Sequence, residues 1–380
     1  MNFSALGRPT WAEVDLEALR WNFRQARRRA GAGRKILCVV KANAYGHGAV
    51  PCSRALVKAG ADGLGVATVE EGAELRRAGL RVPVVLLGLV QPYEAAAVVR
   101  YNLQPTLSGE EVQMRALARA ARSAGKRLAV HLKVDTGMGR IGVTPEEAPE
   151  RARRLRKLPG LELAGIFSHL AHADGRDAGL LRRQNVRLQT AAAAIRRQSW
   201  PRALVHLANS AALLEAPDTY ADMVRPGLML YGLYPAPRFR RRAVLKPALS
   251  WKTKIIALKT VPPGTGLSYG HTYVTRRRSR IATLPVGYAD GFARGLSNSG
   301  RVLVRGRSCP VVGRVCMDMT LVDVTTVPGV RLGEEVVLLG RQGRAVLGAD
   351  DMARSLGTIS YEILCLIGAR VPRVYRGGEA

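Results

Sequence analysis

From Trp11 to about Arg225 the chain alternates short apolar runs with longer stretches rich in Ala, Leu and Arg. The apolar runs fall near 36 to 41, 63 to 67, 83 to 88, 101 to 105, 128 to 134, 161 to 167, 203 to 207 and 222 to 225. Runs of this length, closed by glycine or turn residues, read as buried strands, and the stretches between them as amphipathic crossover helices. Eight such units in succession predict a parallel sheet. Closed on itself, that sheet is a (β/α)8 TIM barrel of the α/β class. An open doubly wound sheet is the structural alternative, but no Gly-x-Gly-x-x-Gly turn follows the first strand, so nothing points to a dinucleotide fold. Ahead of these units, residues 11–15 read as one more short strand, with Asp15 placed to cap a helix that runs to about Ala30.

After Ala236 the pattern changes. Pro235-Ala236-Pro237 and the basic run to Arg242 read as a linker. Segments rich in Val, Ile and Thr, broken by Gly or Pro, follow at 249–258, 279–284, 301–304, 308–315, 320–324 and 335–339. The expected organisation is a barrel over 1–239 and a mostly β domain over 240–380, with one helix at 349–356. The strand at about 11–15 is a candidate to pack with the second domain.

Composition bounds the class. With 380 residues, 47% of them apolar, the chain can bury one large core and one smaller one. Its five cysteines form no CxxC pair, which argues against a structural zinc site or a disulfide framework and for a reducing compartment. The first ten residues show no secretory pattern and no apolar run approaches a membrane span, so the expected location is the cytoplasm. The charge is unusual: 59 Lys plus Arg stand against 29 Asp plus Glu, a formal +30. The basic runs are not interleaved with aromatic residues and carry no DNA-binding motif spacing, so a solvated basic surface is preferred and no specific nucleic-acid partner is expected.

Candidate chemistry starts where Ile36-Leu37-Cys38-Val39-Val40 ends on Lys41, followed by Ala42-Asn43-Ala44-Tyr45-Gly46-His47-Gly48. A lysine at the C-terminal end of a barrel strand either carries its ammonium to water or serves as a reactive amine for a carbonyl group. Downstream, Val130-His131-Leu132-Lys133-Val134-Asp135 runs into a glycine-rich turn with Arg140, whose planar fork suits a carboxylate held bidentately. His169 and His206 close two further strands. No convergent acid or cysteine set accompanies them, so no metal is expected.

The stretch 39–48 closely resembles the cofactor-lysine signature of the pyridoxal-phosphate-dependent alanine racemase family, and further motifs of that family recur along almost the whole chain. The resemblance implies a cytoplasmic isomerase that interconverts L- and D-alanine and so supplies D-alanine for peptidoglycan. Lys41 then binds pyridoxal 5'-phosphate and works on one face of the substrate. Tyr269, in Gly264-Thr265-Gly266-Leu267-Ser268-Tyr269-Gly270, works on the other face from the partner chain of a homodimer with shared sites. Two acid/base groups on opposite faces are the economical way to remove and return one proton.

Further roles are implied in the same way. Ser210 of Asn209-Ser210, together with the N–H groups of Gly227 and Leu228, suits a phosphate, since hydroxyls and main-chain N–H groups near glycine approach it closely. Tyr45 and Tyr361 add phenolic hydroxyls. Arg225 faces the pyridine nitrogen, where a fixed cation disfavours protonation, and His169 lies beside the ring in a network with Arg225, supported by His206. Arg140 and the N–H of Met317 hold the substrate carboxylate. Lys133, as a carbamate, positions Arg140; a plain lysine paired with Asp135 is the rival. Cys316 and Asp318 flank Met317, with core packing an equal reading for Cys316. Tyr288, Asp290 and Arg314 are assigned to the substrate entrance.

Four other readings remain open at this point. A racemase for serine or a broader set of amino acids needs only a roomier pocket. A barrel-plus-β-domain amino-acid decarboxylase shares the architecture but not the Arg225 position or the Gly313-Arg314-Val315-Cys316-Met317-Asp318 segment. A one-domain pyridoxal-binding protein leaves the β domain unexplained. A basic nucleic-acid-binding protein accounts for the charge alone.

Overall fold

The computed structural model describes residues 7–175 and 177–377; Met1 to Leu6, on which the reading of the N-terminus rests in part, lie outside them. The chain divides into two compact units. One comprises 18–44 and 48–246, the other 1–17, 45–47 and 247–380.

The first strand, β1 (Thr10–Asp15), belongs to the smaller unit. The larger unit is a closed parallel barrel of the next eight: β2 (Lys35–Val39), β3 (Gly63–Val66), β4 (Val84–Leu89), β5 (Gln104–Leu107), β6 (Leu128–Lys133), β7 (Leu161–Phe167), β8 (Leu204–His206) and β9 (Met223–Val224). Closure is made by the short last strand, whose Met223 and Val224 pair with Lys35 and Ile36. Inside, Leu37, Val85 and Met223 pack into one buried cluster. The crossover helices form because their apolar residues recur at helical spacing. In Glu111–Ser123, for example, Met114, Leu117, Ala118 and Ala121 are buried on one face.

All eight expected barrel strands are present, with one clear displacement. The run expected at 101–105 begins as a strand only at Gln104. Tyr101 still donates its N–H to Ala97 of the preceding helix, and Asn102 turns the chain at φ 48°.

In the smaller unit, β1 lies between Leu249–Lys254 and Arg373–Arg376, antiparallel to the first and parallel to the second. It is thus an inner strand of a seven-stranded sheet that joins both ends of the chain. The single run expected at 249–258 is two strands, Leu249–Lys254 and Ala257–Val261, in different sheets. Trp251 fills this unit's core edge-on to Phe292, ring centroids 6.0 Å apart. Ala349–Leu356 is helical as expected, and a second helix, Ser360–Leu366, follows it. Alternation of apolar and polar residues is absent there, but Ile363 and Leu364 sit inside.

Candidate active site

Strand β2 stops at Val39, and the chain at once enters a left-handed turn: Ala42, Asn43, Ala44 and Tyr45 have φ between 52° and 54°. Left-handed backbone costs an L-residue about 1 to 2 kcal/mol, so four in a row need external support. Glu71 supplies it, accepting the Ala42 N–H on Oε1 and the Ala67 N–H on Oε2, both at 2.7 Å. Asn43 accepts the Ala49 N–H through Oδ1 at 2.7 Å, and Ala44 donates back to Val40. Lys41 therefore projects from a turn fixed on both sides at the C-terminal end of the barrel strands.

Arg225, which follows β9, is 4% exposed. Its Nη2 donates to the carbonyls of Ser168 and Leu207 at 2.7 and 3.0 Å, and Nη1 donates to Nδ1 of His206 at 2.9 Å. From there the chain of bonds runs inward through the barrel: His206 Nε2 to His131 Nδ1 at 3.0 Å, and His131 Nε2 to Gln104 Oε1 at 3.0 Å. A guanidinium only donates, so the proton order is forced from its end. His206 accepts on Nδ1 and donates from Nε2; His131 accepts on Nδ1 and donates to Gln104. Both imidazoles are neutral. Burial, with Arg225 adding to it, pushes His131 down to about 3 and His206 far below its usual range. His206 also stacks on Phe167, planes 2° apart and centroids at 4.7 Å. The resemblance pairs Arg225 with His169, whereas its hydrogen bonds here run to His206, Ser168 and Leu207, the groups at the adjoining strand ends.

Lys133, at the end of β6, is 3% exposed, with Nζ 4.6 Å above the Phe167 ring. Burial, then Arg225 and Arg140, hold its ammonium far below the usual lysine range; Asp135 acts weakly the other way. Asp135 is not its ion-pair partner, because that carboxylate is already committed. Oδ1 accepts the N–H groups of Gly137, Met138 and Gly139, and Oδ2 accepts that of Arg140. Burial alone raises the Asp135 carboxyl, but these four bonds together hold it below its usual value. They also shape the turn that carries the exposed Arg140. His169 feels the sum: burial first, then Arg225, Lys133, Arg140 and Lys41, push it down to about 2.

At the last two strand ends, Asn209 caps the short helix Ser210–Glu215 by accepting the Ala212 N–H. Ser210 Oγ accepts the N–H groups of Gly227 and Met229 at 2.9 and 3.3 Å. The Gly227 N–H expected to face a phosphate is thus directed at Ser210, and the Ser210 hydroxyl hydrogen and the Leu228 N–H are the donors left to that role.

In the smaller unit, Tyr45 and Tyr361 stand with ring centroids 6.1 Å apart. Tyr269 is 71% exposed on a turn bent by positive φ at Ser268, Gly270 and His271. Ser268 Oγ donates to the Arg314 carbonyl at 2.6 Å and lies 3.5 Å from Cys316 Sγ. The Tyr269 turn is thereby joined to the segment that presents exposed Met317. Asp318 pairs with Arg370 at 2.7 Å. Tyr288 is 42% exposed, whereas Asp290 is fully buried, bound by Arg8 and by the Gly287 N–H, which makes it a clamp on the N-terminal segment and not an open entrance group.

Several working residues escaped the sequence reading. Glu71 sits in an ordinary amphipathic helix and gave no signal. Gln104, at the start of a strand, gave none either, but His131 did leave one. His131 and Lys133 alternate on the inner face of β6, and Gly165 interrupts the apolar run of β7. A Cβ at Gly165 would stand 2.2 Å from His131 Nδ1 and 3.0 Å from His206 Nε2, so the glycine marks a close approach.

Lys41, Arg140 and Arg225 bring positive charge to bear on His169, and the acid nearest Lys133 has its carboxylate already committed to backbone N–H groups. A cationic cluster of this kind at strand ends fits a doubly charged phosphate cofactor and a substrate carboxylate. Comparison with known proteins identifies the family. The profile described as "Alanine racemase, N-terminal domain" matches residues 14–235, and "Alanine racemase, C-terminal domain" matches 248–375. The alanine racemase of Halothermothrix orenii is 49% identical across 97% of both chains, and that of Symbiobacterium thermophilum 50% identical across 98% of both. Among solved structures, the alanine racemase of Clostridium difficile 630 superposes with a TM-score of 0.93 at 38% identity, covering 98% of this chain and 96% of that one. The Bacillus anthracis alanine racemase with bound L-Ala-P does so with 0.93 at 35%, covering 99% and 97%. With both halves matched and relatives near half identity along its length, the chain belongs to the alanine racemase family.

Proposed function

We propose that this chain interconverts L- and D-alanine with pyridoxal 5'-phosphate, using Lys41 and the partner subunit's Tyr269 as the two acid/base groups. The observation that carries the reading is that the barrel's C-terminal strand ends hold both the turn that presents Lys41, fixed by Glu71, and the buried Arg225 guanidinium, fixed by Ser168, Leu207 and His206. When bound, the cofactor withdraws electrons from the α-carbon of an amino acid joined to it, which makes the α-proton labile.

Each residue then has a definite task. Lys41 provides the amine that holds the cofactor and moves a proton at one face. The Tyr269 hydroxyl moves a proton at the other face. Arg140 and the Met317 N–H hold the alanine carboxylate, so that the Cα–H bond stays aligned with the two bases. Ser210, the Leu228 N–H, Tyr45 and Tyr361 serve the phosphate, and His169 lines the ring. Arg225, held in place by its fixed bonds, is a donor-only guanidinium that burial lowers to about 9, so it remains cationic at neutral pH, opposes protonation of the pyridine nitrogen and restrains side reactions. Burial, with the charges of Arg225 and Arg140 adding to it, leaves Lys133 with its proton loosely held. This favours a neutral amine whose nitrogen adds to carbon dioxide and releases one proton to solvent, and the resulting carbamate would supply the negative charge that fixes Arg140.

The working form is a head-to-tail homodimer in the cytoplasm, and its D-alanine feeds peptidoglycan synthesis. Among the described residues, no helix is long and apolar enough to cross a membrane. Incubation with L-alanine and pyridoxal phosphate in deuterated water tests the activity. Loss of optical rotation with α-deuterium incorporation supports it; unchanged rotation without exchange contradicts it. Serine run in parallel decides the broader-range reading.

A further inference from the structure

Several of the basic stretches that look scattered in the sequence, among them Arg27-Arg28-Arg29 and Arg153 to Arg156, are gathered by the barrel at the end opposite Lys41. Seven helices that lead into barrel strands, from Leu16–Ala30 to Ala178–Gln198, carry lysine or arginine in their last turn. The connections from helix to strand add Arg34, Arg81, Lys126, Arg127, Lys157 and Arg202. Two acids, Asp62 and Asp222, directly precede strands at this end. Asp62 is taken by Arg27 at 2.7 Å and by the Ile36 N–H at 2.8 Å. Asp222 is taken by Arg196 and by the Val205 N–H.

Part of this charge serves the fold. Arg76 donates to the carbonyls of Leu80, Val82, Tyr101 and Asn102, and cations suit helix C-termini in general. That purpose does not extend to Arg28, Arg81, Arg197 and Arg202. All four are exposed, and among the described residues none of their side chains makes a hydrogen bond or ion pair.

We propose that this basic end of the barrel is a docking surface for the phosphate backbone of double-stranded nucleic acid, bound without regard to sequence. A duplex offers a stiff, dense line of negative charge that a broad rim of cations can neutralise in several places at once. The aromatic residues at this end are not available to stack on unpaired bases. Arg34 covers Tyr220 at 5.5 Å, Arg100 covers Tyr101 at 5.6 Å, and Trp200 donates its indole N–H to Ala152. A single strand therefore lacks its usual stacking platform. None of the exposed large apolar side chains among the described residues lies in these helix ends or connections, so the surface has nothing to insert into a bilayer. The surface lies at the far end of the barrel strands from Lys41, so docking leaves catalysis running.

The test uses the full chain, a labelled random-sequence DNA duplex of about 30 base pairs and fluorescence anisotropy. Affinity falls by about 1,000-fold or more between 50 and 200 mM salt. The variant Arg28→Ser/Arg81→Ser/Arg197→Ser/Arg202→Ser binds at least about tenfold more weakly, with a salt slope shallower by about 1 for each arginine the duplex touches. Its racemase activity is unchanged. A control, Arg276→Ser/Arg277→Ser/Arg278→Ser/Arg344→Ser, removes the same charge from exposed positions of the smaller unit and stays within about twofold of the parent. Equal loss in both variants would show a diffuse charge effect and overturn the proposal. So would absence of duplex binding at 50 mM salt, tighter binding to a single strand, or tighter binding to phosphatidylglycerol vesicles than to the duplex.

Discussion

Nη1 of Arg225 lies 2.9 Å from Nδ1 of His206, and this one contact sets the direction of every proton from the strand end to Gln104. The far terminus matters because Gln104 Oε1 accepts the last donor. Gln104→Leu leaves the His131 Nε2–H without its acceptor inside the barrel, a loss of about 1 to 3 kcal/mol in stability. It also loosens Arg225, which is read as an altered pH profile of kcat with KM for alanine little changed. Chemical denaturation and a pH series on the variant check both; an unperturbed profile with unperturbed stability would contradict the chain.

Glu71 holds the turn after Lys41 by accepting two main-chain N–H groups. Glu71→Gln turns an NH2 group toward one of them and cannot satisfy both. The expected result is a fall in kcat of about tenfold or more, equivalent to about 1.4 kcal/mol, with the protein still folded by circular dichroism. Glu71→Asp retains the charge but not the reach, and should not rescue.

Buried neutral histidines make the fold acid-sensitive. His131 takes up a proton only near 3 in the folded chain, against 6.5 in the unfolded one, and His206 is shifted in the same direction. Above pH 6.5 both states leave these rings neutral and the full stability is present. Below it the unfolded chain binds protons that the folded chain refuses, and stability is lost as pH falls toward 3. The slope is about 1.4 kcal/mol per pH unit for each histidine. Urea unfolding at pH 7, 6 and 5 measures it, and a flat profile would contradict the neutral assignment.

Among the described residues, no carboxylate forms an ion pair with Lys133 to keep it charged. A carbamate there gives a labelled carbonyl resonance when the protein is equilibrated with 13C-bicarbonate, absent in Lys133→Ala. The same variant should raise KM for alanine by about tenfold, because Arg140 loses its orienting charge, and acetate or chloride should restore part of it. A wild-type spectrum without that resonance would restrict Lys133 to a packed lysine.

Periodicity was enough to read the barrel, because each of its strands is buried on both faces and bounded by glycine or helix. It was less informative in the smaller unit, where strands from both chain ends join one sheet and a bend at Ile255 and Ile256 divides one apolar run between two sheets. The main cationic groups of the site were legible at strand ends. Glu71 and Gln104 were not, since their work is to accept hydrogen bonds from groups far away in sequence, and nothing in their neighbours announces it. Gly165 shows the intermediate case: a glycine within an apolar run pointed to a close approach without saying to what.

In the proposed dimer each site takes Lys41 from one chain and Tyr269 from the other. Lys41→Ala and Tyr269→Phe, each inactive alone, should therefore complement when unfolded, mixed in equal amounts and refolded. Half of the dimers are then mixed, and each mixed dimer places both defects in one site and leaves the other intact, restoring roughly a quarter of wild-type activity. Recovery at that level is the predicted result; no recovery, with mixed dimers demonstrated by mass spectrometry, would contradict the shared site.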